Sequence, residues 1–132
     1  MPHIALVSTF DALALDEDMP PLVGALERAG AKVSTPCWDD TTVDWSSFGL
    51  AVLRSTWNYV ERIDEFRAWT RRCSQQTRLV NSPEVVDWNT DKHYLAHLHR
   101  AGVAVVPSRF VEPGEDVQTA LQQFLAGGVD SL

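Results

Sequence analysis

An α/β fold, built as a parallel sheet with helices on both faces, is predicted by three features of the sequence. Nearly continuous apolar runs occupy residues 3–9 and 49–55, stretches with helical spacing stand between the extended ones, and Gly, Pro, Asp and Ser mark the joins. A strand that is apolar at almost every position has no solvent face, which is the situation inside a parallel sheet covered on both sides. The alternation of extended and helical segments is that of a doubly wound chain, although it leaves the strand order open.

Taken in order, residues 3–9 (His-Ile-Ala-Leu-Val-Ser-Thr) form the first buried strand. Residues 10–18 read as an acidic loop, with Asp18 placed to cap a helix whose first turn tolerates Pro20 and Pro21. Leu22, Val23, Leu26 and Ala29 recur at helical spacing, and Gly30 stops that helix. Residues 32–37 read as a weaker strand near an edge, given Pro36. After a polar loop at 38–48, residues 49–55 are the third strand and 56–59 the loop at its carboxyl end. Residues 63–72 make an amphipathic helix on Ile63, Phe66, Ala68 and Trp69, and 78–80 a fourth strand. The chain breaks at Ser82-Pro83 and restarts as a helix after Asn89-Thr90. Residues 103–111 are expected to be a further strand interrupted by Pro107. Residues 114–126 are expected to be a last helix, with Val117, Ala120, Leu121, Phe124 and Leu125 buried and Gly127-Gly128 closing it before residues 129–132.

Composition narrows the function classes. A length of 132 residues, 45% hydrophobic and 22% charged, suits one soluble globular domain with a sizeable core. The net charge of −7 and the lack of any basic cluster beyond Arg71-Arg72 exclude a nucleic-acid footprint. No apolar run approaches membrane-spanning length and none at the start reads as a signal peptide. Cys37 and Cys73 form no metal or redox motif, so a cytoplasmic protein with reduced thiols is expected, with no membrane partner.

Ligands of open parallel sheets bind beyond the carboxyl ends of the strands. Three segments arrive there, 9–18, 54–59 and 81–92. Arg54, Ser55, Thr56, Trp57, Asn58 and Tyr59 place a guanidinium, two hydroxyls, an amide and two aromatics directly after a buried strand. These groups suit a small polar substrate bearing a carboxylate, but Arg54 could equally pair with an acidic residue while Trp57 and Tyr59 pack over the sheet edge. Asp16, Glu17 and Asp18 could hold a substrate amine or cap a helix. Lys92 brings a cation to a helix start, where the backbone already favours an anion, so phosphate is its natural visitor and a solvated lysine the alternative. His93 and His97 stand four apart without an acidic or cysteine partner in a metal motif, and His3 and His99 carry no functional signal. There is no glycine-rich phosphate loop and no nucleophile–histidine arrangement.

Residues 53–59 (Leu-Arg-Ser-Thr-Trp-Asn-Tyr) and 81–92 (Asn-Ser-Pro-Glu-Val-Val-Asp-Trp-Asn-Thr-Asp-Lys), with Leu15-Asp-Glu-Asp18 before them, resemble the N-terminal portion of ATP-grasp ligases. The resemblance is closest to the glutathione-synthetase-like members, cyclo-ligases included, and runs over residues 4–114. It implies a Rossmann-like (preATP-grasp) substrate-side domain over residues 1–86 and an incomplete start of the nucleotide-binding region over 87–132. It implies that Arg54, Ser55, Thr56 and Trp57, with Asp16, line the substrate side. Lys92 matches the lysine that reaches the ATP phosphates, and residues 105–111 resemble the strand leading into the nucleotide half. Such enzymes activate a carboxylate as an acyl phosphate with MgATP before an amine-type nucleophile displaces phosphate. The second phosphate lysine, the flexible glycine-rich loop, the adenine contacts and the acidic Mg2+ ligands of the family find no counterpart here. This chain alone is therefore expected not to turn over ATP. Its expected partners are a small polar substrate with a carboxylate or amine, the missing C-terminal ATP-grasp half, and a homo-oligomer of itself. The competing expectation is a free-standing, non-catalytic α/β domain that binds a small ligand or a protein.

Overall fold

The computed structural model describes residues 1–127, so Gly128 and residues 129–132 of the expected chain end lie outside the described residues. Contacts divide the chain into two compact units, Met1–Trp88 and Asn89–Leu132.

The first unit is a four-stranded parallel sheet in the order β2-β1-β3-β4, with β1 His3–Ser8, β2 Lys32–Ser34, β3 Leu50–Ser55 and β4 Leu79–Val80. A one-turn helix α1 (Phe10–Leu13) and α2 (Met19–Arg28) connect β1 to β2, while α3 (Ile63–Gln76) connects β3 to β4. The two crossovers leave the central pair in opposite directions, and right-handed crossovers therefore place α2 and α3 on opposite faces. The parallel α/β architecture read from the apolar runs is the one found.

The sheet's inner strands are as buried as their composition demands: Ala5, Leu6, Val7 and Ala51 lose essentially all their exposure. Alternation sends Ala5 and Val7 to one face, where they join Trp38, Trp45, Ala51, Phe66, Trp69, Cys73 and Val86 in the main core. Trp69 is its hub, packed against Phe66, Trp38 and Trp45 with ring centroids 5.6, 6.1 and 5.1 Å away.

Several local expectations are corrected. The 10–18 segment is not all loop, because Thr9 accepts a hydrogen bond from the Ala12 N–H and caps α1. Asp18 occupies the position before α2 but makes no side-chain cap; its carboxylate is engaged elsewhere. β2 ends at Ser34, ahead of Pro36, and Cys37 returns to the sheet only as a single bridge to Ser8. Helix α3 runs one turn beyond Arg72, to Gln76.

A helix does follow Thr90, at Tyr94–Arg100, but the segment before it, expected as a break, is itself a helix: α4 spans Pro83–Thr90. Proline at the first helical position lacks only an N–H that would have no partner there, so the residue that reads as a breaker is also a start signal. Asn81, in the left-handed region at φ 66°, makes the turn into it.

The second unit contains α5 (Tyr94–Arg100) and α6 (Val117–Ala126), the latter capped by Asp116, which accepts from the Thr119 N–H at 2.9 Å. No strand forms over residues 103–111. Pro107 removes a donor in mid-run, and no other extended segment exists among the described residues of this unit to pair with it. On α6 only Ala120 is buried and Phe124 half-buried; Val117, Leu121 and Leu125 are exposed, contrary to expectation. Among the described residues no helix is long and apolar enough to cross a membrane.

Candidate functional site

The order β2-β1-β3-β4 puts the sheet's switch point between β1 and β3, and ligands of open parallel sheets bind beyond the strands' carboxyl ends at such a point. A register shift after Val7 brings Ser8 opposite Ser55, so both strands end on a buried serine. The Ser8 hydroxyl donates to the Thr9 carbonyl at 3.2 Å and, at 3.4 Å, to that of Ser55. The segment after β1 and the 3₁₀ turn Trp57–Glu61 after β3 flank this point.

Asp16 is the residue that ties the two segments at the switch point together. Helix α1 closes with the Asp16 N–H donating to the Ala12 carbonyl at 2.9 Å, which turns the chain back over the sheet end. The Asp16 side chain keeps 3% of its exposure. One carboxylate oxygen accepts a short hydrogen bond from the Ser55 hydroxyl; the other accepts from Arg54 Nη2 at 2.9 Å and from the Asp18 N–H at 3.2 Å. The Ser55 hydrogen bond, reinforced by the Arg54 charge against an opposing burial effect, holds the Asp16 carboxyl below its ordinary range.

Arg54 is gripped unequally. Its Nη2 also reaches Asp18 at 3.3 Å, but that carboxylate is 87% exposed. Its Nε is buried without a partner, and Nη1 makes no hydrogen bond among the described residues. Of the two readings of Arg54, pairing with acidic residues is the one observed. It leaves an arginine oriented by a buried acid and only loosely held by an exposed one.

The remaining expected residues divide. Thr56 is buried and its carbonyl starts the 3₁₀ turn, accepting from the Tyr59 N–H at 3.0 Å. Asn58 accepts from Trp38 Nε1 at 2.8 Å, and Tyr59 packs on Phe66 with centroids 5.3 Å apart, so both serve the core. Trp57 stays half-exposed; with Phe10, Leu15 and Val60 it gives the two flanking segments four large exposed apolar side chains.

Lys92 belongs to the second unit and lies in the turn before α5, ahead of its capping position His93, not within the first helical turn. Its ammonium lies 5.8 Å from the Tyr94 ring centroid and makes no ion pair among the described residues. His93 is fully engaged: Nδ1 meets Asp91 at 2.6 Å, Nε2 meets Glu112 at 2.8 Å, and the ring stacks on Phe110. The Asp91 hydrogen bond first, and Glu112 next, raise its pKa. Nothing in the spacing of residues 93 and 112 announces this clamp. Among the described residues no three His, Cys, Asp or Glu side chains gather as a metal site.

A groove of about 510 Å³ lies along α3, with Trp38, whose N–H donates to the Ser8 carbonyl at 3.1 Å, in its lining. In it Arg62 stands between Asp39 (2.6 Å) and Glu65 (2.6 Å) and 4.9 Å above the Trp38 ring, while Asp40 and Arg72 line it as well.

Residues 4–81 match the family described as D-cycloserine synthetase DcsG, N-terminal domain. The cycloserine biosynthesis protein DcsG of Streptomyces lavendulae is 44% identical over 123 residues, which are 93% of this chain and 41% of that protein. The crystal structure of D-cycloserine synthetase DcsG matches with a TM-score of 0.80 at 43% identity, over 95% of this chain and 42% of that one. The chain thus spans about two-fifths of the length of these relatives.

Proposed function

Because the chain belongs to the family of the D-cycloserine synthetase DcsG N-terminal domain, we propose that it is the substrate-side portion of a ligase that forms a cycloserine-type product. The reaction class is that of ATP-grasp enzymes: a carboxylate is activated as an acyl phosphate by MgATP, then captured by an amine-type nucleophile. The observation that carries this reading is Arg54 at the switch point, held from behind by buried Asp16 and faced by exposed Asp18.

The substrate carboxylate displaces Asp18 from Arg54 and gains Nη1 and Nη2 together, a bidentate pair stronger than the single contact it replaces. Asp16 keeps the guanidinium plane fixed during the exchange, and Ser55 keeps Asp16 ionised. Trp57 supplies an apolar wall that excludes water from the bound carboxylate.

Lys92 fits a phosphate contact, since its ammonium is exposed and unspent on any carboxylate among the described residues. ATP supplies the phosphoryl group; Lys92 binds and orients it by charge. The described residues do not fit a magnesium site, so no step here is assigned to that ion. The part corresponding to the rest of the relatives' length carries the remaining chemistry, and this chain by itself turns over no ATP.

The test is complementation. The matched region of the S. lavendulae relative is replaced by this chain, and D-cycloserine formation is measured in cells lacking the native protein. Product from the hybrid, lost in an Arg54→Gln version that is still folded, supports the reading. A folded hybrid that binds MgATP yet yields no product overturns it.

A further inference from the structure

The groove along α3 is built from residues that the carboxylate seat at Arg54 does not use: none of Asp16, Arg54, Ser55, Thr56 and Trp57 lines it. Three buried tryptophans, Trp38, Trp45 and Trp69, contribute to its wall, with Val43 and Ala68 beside them. A volume of about 510 Å³ and an aromatic lining with a few polar groups are the marks of a small-molecule site.

Its charges divide into spent and unspent. Arg62 is taken up by Asp39 and Glu65 together. Arg72 is exposed and makes no ion pair or hydrogen bond among the described residues. Asp40 accepts at Oδ1 from the Thr42 hydroxyl at 2.6 Å and from the Thr42 N–H at 2.8 Å, while its Oδ2 has no partner among the described residues. The Thr42 hydroxyl first, and its N–H next, hold the Asp40 carboxyl below its ordinary range, so it is ionised at neutral pH. Asp40 and Arg72 thus line one groove with opposite charges and do not pair with each other. A third group there is also unmet, since the indole N–H of Trp69 is buried without an acceptor. Buried donors without partners are uncommon, and each asks for a cause.

We propose that this groove binds a zwitterionic amino acid with a large apolar or aromatic side chain, its carboxylate on Arg72, its ammonium on Asp40 and its side chain against the three tryptophans. Two unspent charges of opposite sign select a zwitterion. A simple acid leaves Asp40 unanswered, and a simple amine leaves Arg72 so. Guanidinium and carboxylate make a bidentate pair, and the indole rings supply apolar contact area and faces that attract an ammonium. This is a second site, and it does not rest on the ligase reading.

The test titrates L-phenylalanine into the isotope-labelled chain and follows its five indole N–H signals by NMR, with phenylpropionate and phenethylamine as ligands that each carry one charge. The signals of Trp38, Trp45 and Trp69 should shift and saturate while those of Trp57 and Trp88 stay. Each single-charge ligand, and phenylalanine on Arg72→Gln or Asp40→Asn, should bind at least about tenfold more weakly. Should either variant fail to fold, the two single-charge ligands on the unaltered chain still decide. Absence of a saturable shift overturns the proposal, as does single-charge binding as tight as that of phenylalanine. Arg54→Gln should leave the phenylalanine affinity unchanged. A tenfold loss in that variant would put the amino acid at the switch point and overturn the second site.

Discussion

The difference between Asp16 and Asp18 is one of burial, and it dictates opposite consequences for neutralising each. Asp18→Asn removes a loosely held, exposed competitor for Arg54, so in the hybrid enzyme the substrate KM should stay level or fall severalfold with kcat unchanged. Asp16→Asn frees the guanidinium from its anchor and should raise KM, with a lower melting temperature. If the two variants behave alike, the exchange of Asp18 for a substrate carboxylate is refuted. The same buried acid sets a pH dependence. Its folded-state pKa lies below the ordinary 3.8, so its stabilisation is complete above that value and is lost as pH falls through the depressed one. His93 has the opposite sign. Its pKa is raised above 6.5, so the clamp between Asp91 and Glu112 is at full strength below 6.5 and weakens as pH rises through the raised value. Histidine ring shifts followed by NMR should show His93 titrating above the ordinary 6.5, and Glu112→Gln should bring it down. The two thiols separate as well: burial alone pushes Cys73 up to about 11, so thiol reagents should modify half-buried Cys37 and leave Cys73 intact until the chain unfolds.

Among the elements, those with two buried faces were legible and those with context-dependent ends were not. β1 and β3 announce themselves by apolar residues at nearly every position, the pattern of strands covered on both faces. Helix α3 was legible from Ile63, Phe66 and Trp69, yet its core role is larger than its periodicity suggests, since Trp69 touches Phe66 of its own helix and also Trp38 and Trp45 from the stretch between β2 and β3. Trp69→Ala should therefore cost about 3–5 kcal/mol in a denaturant titration, the range for a large buried aromatic, whereas Ile63→Ala at the helix start should cost less. The run at 103–111 shows the converse. Its valines have the intrinsic preference of a strand, but a strand is a pairing and not a property of one segment, and the described second unit offers it no mate. At Pro83 one residue type carries two meanings, stop and start, and only the helix that follows decides between them. The position of Lys92 moved with it, from a helix's first turn into the turn before α5. The candidate site at the switch point was half legible. The rule that ligands gather at strand ends picked out Arg54 and the 9–18 segment, but no spacing rule joins Asp16 to Arg54 across 38 positions.

For the whole molecule, the decisive contrast is between a unit with a core and a unit almost without one. Residues 1–88 enclose a sheet in which Ala5, Leu6, Val7, Ser8, Ala51 and Ser55 of the central strands are fully buried, together with an aromatic cluster, so their opening requires global unfolding. Residues 89–127 hold two short helices, one buried alanine and a row of exposed valines and leucines, so little apolar burial opposes their local opening. Native-state amide exchange of the chain alone should then split. Amides of β1 and β3 should be protected to the global limit, and those of α5 and α6 should exchange at least about a hundredfold faster. The hydrogen bonds within α6 are regular, so backbone pairing alone predicts no such gap; it arises only if burial, not helix formation, sets protection. Equal protection of the two units in the chain alone would mean that the second unit is stabilised by something other than apolar burial.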